Sequence, residues 1–459
     1  MTEQRNGSPT LDANLRGRVV EPGGDDWELA RQAFNLSLDQ RPDLVAFPVD
    51  AQDVAEVVGA ARRAGLRVAA QRTGHSAGPL GDLSGTVLLK TSEMTGVDID
   101  PDARRARVNA GAQWRDLVPT ASEMGLAALH GSAPDIGIAG YSLGGGVGWY
   151  VRKLGLQANS VTATELVTAD GELVRADADH EPELFWALRG GGGNFGVVTA
   201  LEFDLHEMGP LYAGVLFFPF ERAGEVLHAW RDWIRSVPEE LTSIGRLLQF
   251  PPLEKVPEPV RGQSFSVVEA VYQGDEDSGA ELLRPLRELG PVMDTFGVVP
   301  PAALGAIHMD PPEPVPFVGG DFTLSELSSD ALDAILETAG PGSGSPLLSL
   351  ELRHLGGAAS RPAPNHGALA SFEGEVLGFS VGMAADGGMK EAMAAQLARI
   401  REGAAPYGGA RRYLGFCEAS VEPTELFDAE TLDRLRRVKA EVDPDNTFRA
   451  NHGIEPALA

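Results

Sequence analysis

Three glycine-rich stretches constrain this chain more than any other feature. They are QRTGHSAGPLGDLSG (71–85), HGSAPDIGIAGYSLGGGVGWYVRKLGL (130–156) and LRGGGGNFGVV (188–198). Glycine allows left-handed backbone and close approach to another group, but it weakens helices and strands. The elements between them are short. An apolar run at 43–48 predicts a strand; Asp50 then sits where an N-cap belongs, with Asp53 three residues on. Val54, Val57, Val58 and Ala61 follow at helical spacing, and Gly65 ends the helix. LRVAAQR is a second strand, and it delivers the chain into the first glycine loop, a common place for a cofactor. GTVLLKT and ARVNAGA read as strands, QWRDLVPTASEMG as a helix, and SVTATELVTADGELVRAD as a hairpin turning at Asp170-Gly171. A short helix, the third cluster and a strand complete the unit. The pattern predicts backbone wrapped around an extended ligand. His75, inside the first cluster, is either incidental to a tight turn or placed where the backbone meets something large.

Beyond Pro210 the texture changes to longer strands alternating with amphipathic helices, with proline-rich loops at 251–261 and 310–316. At 459 residues the chain is too long for one ordinary core and comfortable for two. The expected organisation is an N-terminal extension over 1–36, a ligand-binding unit over 37–209, an α+β unit with an antiparallel sheet over 210–440, and a turn-rich segment over 441–459 that returns to the first unit. A formal net charge of −28 would repel nucleic-acid phosphates and anionic lipid, so neither is an expected partner. One cysteine, Cys417, excludes an intrachain disulfide framework and a cysteine-based zinc site, and no other metal motif is present. The start lacks the apolar h-region of a secretory signal and no run is long enough to span a membrane, so the expectation is a soluble, cytoplasmic protein.

GYSLG (140–144) matches G-x-S-x-G, and His130-Gly131 could imitate an oxyanion-hole segment. A nucleophilic Ser142 needs a buried strand before it and a helix after it. Here APDIGIAG is too glycine-broken for that strand, so the serine hydrolase is kept as the rival from another class. No P-loop, no H-E-x-x-H and no G-x-G-x-x-G after a strand is present. Backbone amides freed by glycine can still bind a pyrophosphate without basic side chains, which suits an acidic protein.

RTGHSAGPLG resembles the R-x-G-H-S/N segment of the FAD-linked oxidases related to berberine bridge enzyme, of the vanillyl-alcohol-oxidase/p-cresol-methylhydroxylase (PCMH) type of FAD-binding fold. SLGGGVGWYVRKLGLQANSV, LFWALRGGGGNFGVVTALEF and VDPDNTFRANHGIEP are similar to that family's further segments, in order along the whole chain. The fold class implied is α+β, a two-domain PCMH-type FAD-binding fold with an antiparallel-sheet substrate domain. The resemblance implies FAD held covalently from the His75 imidazole to the flavin 8α-methyl carbon, chemistry open to a neutral imidazole nitrogen. Many relatives add a second link from a cysteine; Ala133 stands there, so one link is expected. Ile136 and Gly137 follow, Ile136 where relatives admit or exclude oxygen. By the same resemblance Arg72, Thr73, Gly74, Ser76 and Ala77 lie along the pyrophosphate. Ser142, Gly145, Gly146 and Gly148 lie near flavin or phosphates, Val198 near the adenine, and Phe448 and Asn451 by the isoalloxazine edge. Simple turn-making is the alternative for the glycines.

On the substrate side, Ser349, Glu351 and Arg353 alternate with Leu348, Leu350 and Leu352, which puts the polar set on one strand face. Relatives use this sheet as a roof over the flavin, which implies that Glu351 and Arg353 face substrate; a structural ion pair is the equal alternative. Tyr413 matches the tyrosine that in relatives helps deprotonate substrate, but Gly415 replaces the family's asparagine. A phenol with a pKa near 10 is a poor base unless its surroundings lower it. Tyr150, Tyr272 and Glu269 are further polar candidates, or else packing. The implied reaction takes hydride from a C–H beside an alcohol or amine of a small-molecule substrate to flavin N5, with molecular oxygen as acceptor and hydrogen peroxide as product. A flavin dehydrogenase using another acceptor, or a relative without catalysis, is the alternative within the family. Substrate identity and oligomeric state stay open.

Overall fold

A computed structural model describes residue 11 and residues 13–254, 256–409 and 411–458. The first sheet runs Arg18–Val20, Leu44–Phe47, Thr86–Lys90, Arg67–Gln71, and its last three strands are parallel. The helix Ala51–Ala64 starts where the Asp50 carboxylate accepts the Asp53 N–H at 3.0 Å and ends at Gly65 in left-handed conformation (φ 68°). Val54, Val57, Val58 and Ala61 form its buried stripe against Leu44, Val68, Val87 and Leu89. A second, five-stranded antiparallel sheet runs Val97–Asp100, Arg105–Asn109, Val197–Asp204, Val161–Val167, Leu173–Asp177. The hairpin between its last two strands turns at Asp170-Gly171, with Gly171 at φ 81°. Among the described residues, no helix is long and apolar enough to cross a membrane.

The third sheet is antiparallel throughout and is built from residues after Pro210. Its central strands are Leu211–Pro219, Ser264–Tyr272, Leu241–Gln249, Ser349–His354, Val376–Met383 and Phe317–Leu324, in that order. Successive side chains alternate between its faces. Leu247, Val268, Leu350 and Leu352 pack under the helices Ala223–Ile234, Ser329–Ala339 and Gly387–Ala404, forming one apolar core. The opposite face carries Arg246, Leu248, Ser349, Glu351, Arg353 and Phe379, and it looks toward the glycine loops.

Two segments sit differently from the sequence expectation. Arg18–Val20, expected within an extension, is an edge strand paired with Leu44–Phe47. The helix Ala429–Val442, expected with the second unit, packs Leu432, Leu435 and Val438 into the core built around Trp114, Phe185, Phe195 and Phe203. The return to the first unit therefore begins well before residue 441. Helical spacing shows only that one face is apolar; it does not say which core covers it. Past that helix, the Asp443 carboxylate accepts the N–H groups of Thr447 and Phe448 at 2.7 and 3.0 Å, and Phe448 bridges Val68.

Candidate functional site

A cavity of about 950 Å³ lies between the glycine loops and the roof sheet. Its floor includes Arg72, Thr73, Gly74, His75, Ser76 and Ala77; Ala133, Ile136 and Gly137; Val198; and Asn451. Its roof includes Ser349, Glu351 and Arg353, with Tyr413 at the side. Thus fourteen of the nineteen residues expected at the cofactor or in catalysis border one space, Glu351, Arg353 and Tyr413 with the eleven of the floor.

The first loop owes its shape to glycine. Gly74 has φ +79°, and a Cβ there would lie 2.8 Å from that of Ala33. The strand before it ends at Gln71, and the C-terminal segment clamps the far side of the loop: the Asn451 side chain donates to the Ser76 carbonyl, and the Arg449 guanidinium donates to the Leu80 carbonyl at 2.8 Å. Among the described residues the backbone N–H groups of Gly74, His75 and Ser76 have no protein acceptor. Unpaired main-chain donors bordering a cavity are a place for an anion such as a pyrophosphate. The loop fits a dinucleotide cofactor on that ground, and Gly193, where a Cβ would meet nothing, leaves further room.

Ser142, Gly145, Gly146, Gly148 and Phe448 do not border the cavity. Ser142 is buried in the short helix Ile138–Leu143, and its hydroxyl has no hydrogen-bond partner, histidine included. A Cβ at Gly148 would collide with the His130 carbonyl, so here glycine serves contact within the protein. Phe448 is 2% exposed in the core of the first sheet. Leu348, which alternation places with the leucines away from the polar set, also borders the cavity.

The roof carries a buried charged cluster that local patterning did not reveal. His308, just before the proline-rich loop at 310–316, places Nδ1 2.6 Å from Glu269 and Nε2 2.7 Å from Glu351. Arg246 lies 3.0 Å from Glu269 and donates to Ser349 Oγ at 2.7 Å; Arg353 lies 3.0 Å from Glu351 and donates to Ser132 Oγ at 3.2 Å. Burial and Arg246 oppose a charge on His308, but Glu269, Asp310 and Glu351 prevail and raise its pKa to about 9. At neutral pH both ring nitrogens donate, one to each carboxylate. Burial also works against ionised Glu351, yet Arg353 and His308 hold it well below the usual carboxylate range. Glu269, one of the alternatives noted in the sequence, belongs to this cluster; Tyr150 and Tyr272 do not border the cavity.

Tyr413 is held by its oxygen, which accepts the N–H groups of Gly146 and Val147 at 2.9 and 3.2 Å. Burial outweighs those donors and pushes the phenol up to about 12. Glu418, five residues on, has the opposite character. It borders the cavity, has no hydrogen-bond or ion-pair partner among the described residues, and is pushed up to about 8 by burial and then by Asp321. The sequence offered one signal for it, an acidic residue just past the RRYLGF stretch.

Residues 42–177 match the FAD binding domain model, and residues 413–455 match the model described as berberine and berberine like. The chain is 28% identical to (R)-6-hydroxynicotine oxidase of Paenarthrobacter nicotinovorans over 472 residues, covering 96% of this chain and 97% of that protein. It is 26% identical to xylooligosaccharide oxidase of Thermothelomyces thermophilus, covering 97% of this chain and 93% of that protein. The solved structure of a BBE-like 1 variant from Physcomitrella patens superposes with a TM-score of 0.84 at 20% identity, covering 97% of this chain and 98% of that one.

Proposed function

Because this chain is an FAD-linked oxidoreductase of the berberine bridge enzyme-like type, we propose that it is an oxidase acting on a C–H beside an alcohol or amine, with FAD carried covalently by His75, molecular oxygen as acceptor and hydrogen peroxide as product. The observation that carries the reading is the single cavity that joins the His75 loop to the charged roof. Bound FAD supplies the acceptor for a hydride from the substrate carbon. The chain supplies everything else. Gly74, His75 and Ser76 offer main-chain donors to the pyrophosphate, and the Ala133 methyl provides no second attachment. Leu248, Phe250, Phe379, Val381, Met383 and Phe416 line the arm under the roof, so the substrate presents an apolar body there and excludes water from it. Arg353 orients its hydroxyl or amine, and His308 helps to keep Glu351 ionised.

The proton that leaves the substrate goes to Glu418. A base works best with a pKa near the working pH, which favours a carboxyl at about 8 over a phenol at about 12. Tyr413 then acts as a positioning residue that fixes the loop at Gly146 and Val147. For a substrate that does not itself ionise between pH 6 and about 9, kcat/KM should rise with pH through about 8, because Glu418 must lose its proton to act. Glu418→Gln should remove that limb and lower kcat/KM by about 10²–10⁴-fold, the usual worth of a positioned base. A Glu418→Gln enzyme with the wild-type pH profile would return the role to another group. The oxidase reading itself is tested by peroxide release and oxygen uptake over a panel of aryl alcohols, cyclic amines and oligosaccharides. Flavin bleaching by substrate without oxygen uptake would make the protein a dehydrogenase.

A further inference from the structure

The His75 ring is held on three sides. It stacks on Phe34 with centroids 3.7 Å apart and an interplanar angle of 18°. Its Nδ1 lies 2.7 Å from Thr73 Oγ1, and its Nε2 lies 3.2 Å from Asp135 Oδ2. Asp135 comes from the second glycine stretch, and its side chain is only 7% exposed. Its segment is pinned at three successive carbonyls by residues 113–115: Trp114 N–H donates to the Ile136 carbonyl at 3.2 Å, Arg115 N–H to the Pro134 carbonyl at 2.8 Å, and the Gln113 side chain to the Asp135 carbonyl. Among the described residues the Asp135 carboxylate has no side-chain partner other than His75. A nearly buried carboxylate held on a rigid turn and paired to one imidazole nitrogen dictates which nitrogen carries the proton.

We propose that Asp135 is the positioning residue for flavin attachment: it accepts the Nε2 proton of His75 and so presents the Nδ1 lone pair to the 8α-methyl carbon of FAD. The inference rests on the His75 linkage proposed above. A neutral imidazole has one N–H, and Asp135 draws it to Nε2; Thr73, whose hydroxyl can donate, holds the free Nδ1 until the cofactor arrives. The Nδ1–C8α bond forms as the methyl carbon gives up a proton and the electron pair of that C–H bond passes to the isoalloxazine ring. The imidazole would become cationic, and the Nε2 proton moves to Asp135 instead. Molecular oxygen takes the two electrons and two protons, leaving hydrogen peroxide and oxidised, linked FAD.

The test monitors attachment rather than turnover. Full-length protein made under riboflavin limitation is mixed with FAD, and flavin fluorescence on the denatured chain is read over time. Retained FAD after desalting reports binding separately. Asp135→Asn should bind FAD yet attach it at less than a tenth of the wild-type rate, with Asp135→Glu recovering most of the loss. Formate added to Asp135→Ala should speed attachment, which a merely structural defect would not allow. Attachment at the wild-type rate in Asp135→Asn or Asp135→Ala overturns the proposal and leaves the His75 linkage standing. If Asp135→Asn fails to hold FAD, the formate response of Asp135→Ala decides, and no response overturns the proposal. Flavin that remains linked in His75→Ala removes the underlying linkage instead.

Discussion

Acid precipitation of wild-type protein is expected to leave its yellow colour in the pellet, and of His75→Ala to leave it entirely in the supernatant. The difference should be all or none, because His75 is the proposed point of attachment and Ala133 offers no second one. Binding should survive the change. The main-chain donors of Gly74, His75 and Ser76 do not depend on the side chain at 75, and the clamp from Arg449 and Asn451 acts on Leu80 and Ser76. What His75→Ala also removes is the Phe34 stack, so the loop should loosen without collapsing. Absorbance of pellet and supernatant checks the first expectation, and FAD retained after gel filtration checks the second. Colourless wild-type protein that FAD cannot reconstitute would sink the cofactor assignment altogether.

Glu351→Gln is expected to be the most damaging single change in the roof. Glu351 faces Arg353 and His308, and all three are buried. Removing one partner of a buried ionic cluster leaves uncompensated charge and typically costs about 3–5 kcal/mol of stability. The pH dependence has a definite sign. The His308 pKa is raised in the folded protein, from an ordinary value near 6.5 to about 9. Its contribution is therefore fully present below about 6.5 and lost as pH rises through about 9. With Glu351 neutral, Glu269 and Asp310 remain to hold the imidazolium, so the loss should begin at lower pH in the variant. Urea midpoints between pH 6 and about 10 measure both effects. A variant within about 0.5 kcal/mol of wild type at neutral pH would show that water already screens the cluster.

If FAD lies in the cavity as proposed, the cavity also explains how an acidic chain binds its phosphates. At the His75 loop the donors are main-chain N–H groups, which carry no net charge and leave the −28 of the chain unchanged. Arg72 borders the cavity floor but donates to the Gly111 carbonyl, and Arg246 and Arg353 in the roof and Arg449 in the clamp likewise meet acceptors of the protein itself.

Much of this molecule was legible residue by residue. Asp50 and Gly65 bound their helix because capping is decided within a few residues, and Glu351 and Arg353 share a face because strand periodicity is two. The glycine stretches pointed to the cofactor because backbone freedom is a local property, and their order along the chain carried the resemblance to the FAD-linked oxidases. What the tertiary structure alone decided was which groups meet. His308 finds Glu269 and Glu351, Asp135 finds His75, and the helix Ala429–Val442 joins the first core, all across long stretches of chain. It also withdrew Ser142, Gly148 and Phe448 from the cavity's border by packing them against protein. Pattern specifies which face an element buries; only closure of the whole chain specifies what that face is buried against, and with it which charges lose their water and must find each other.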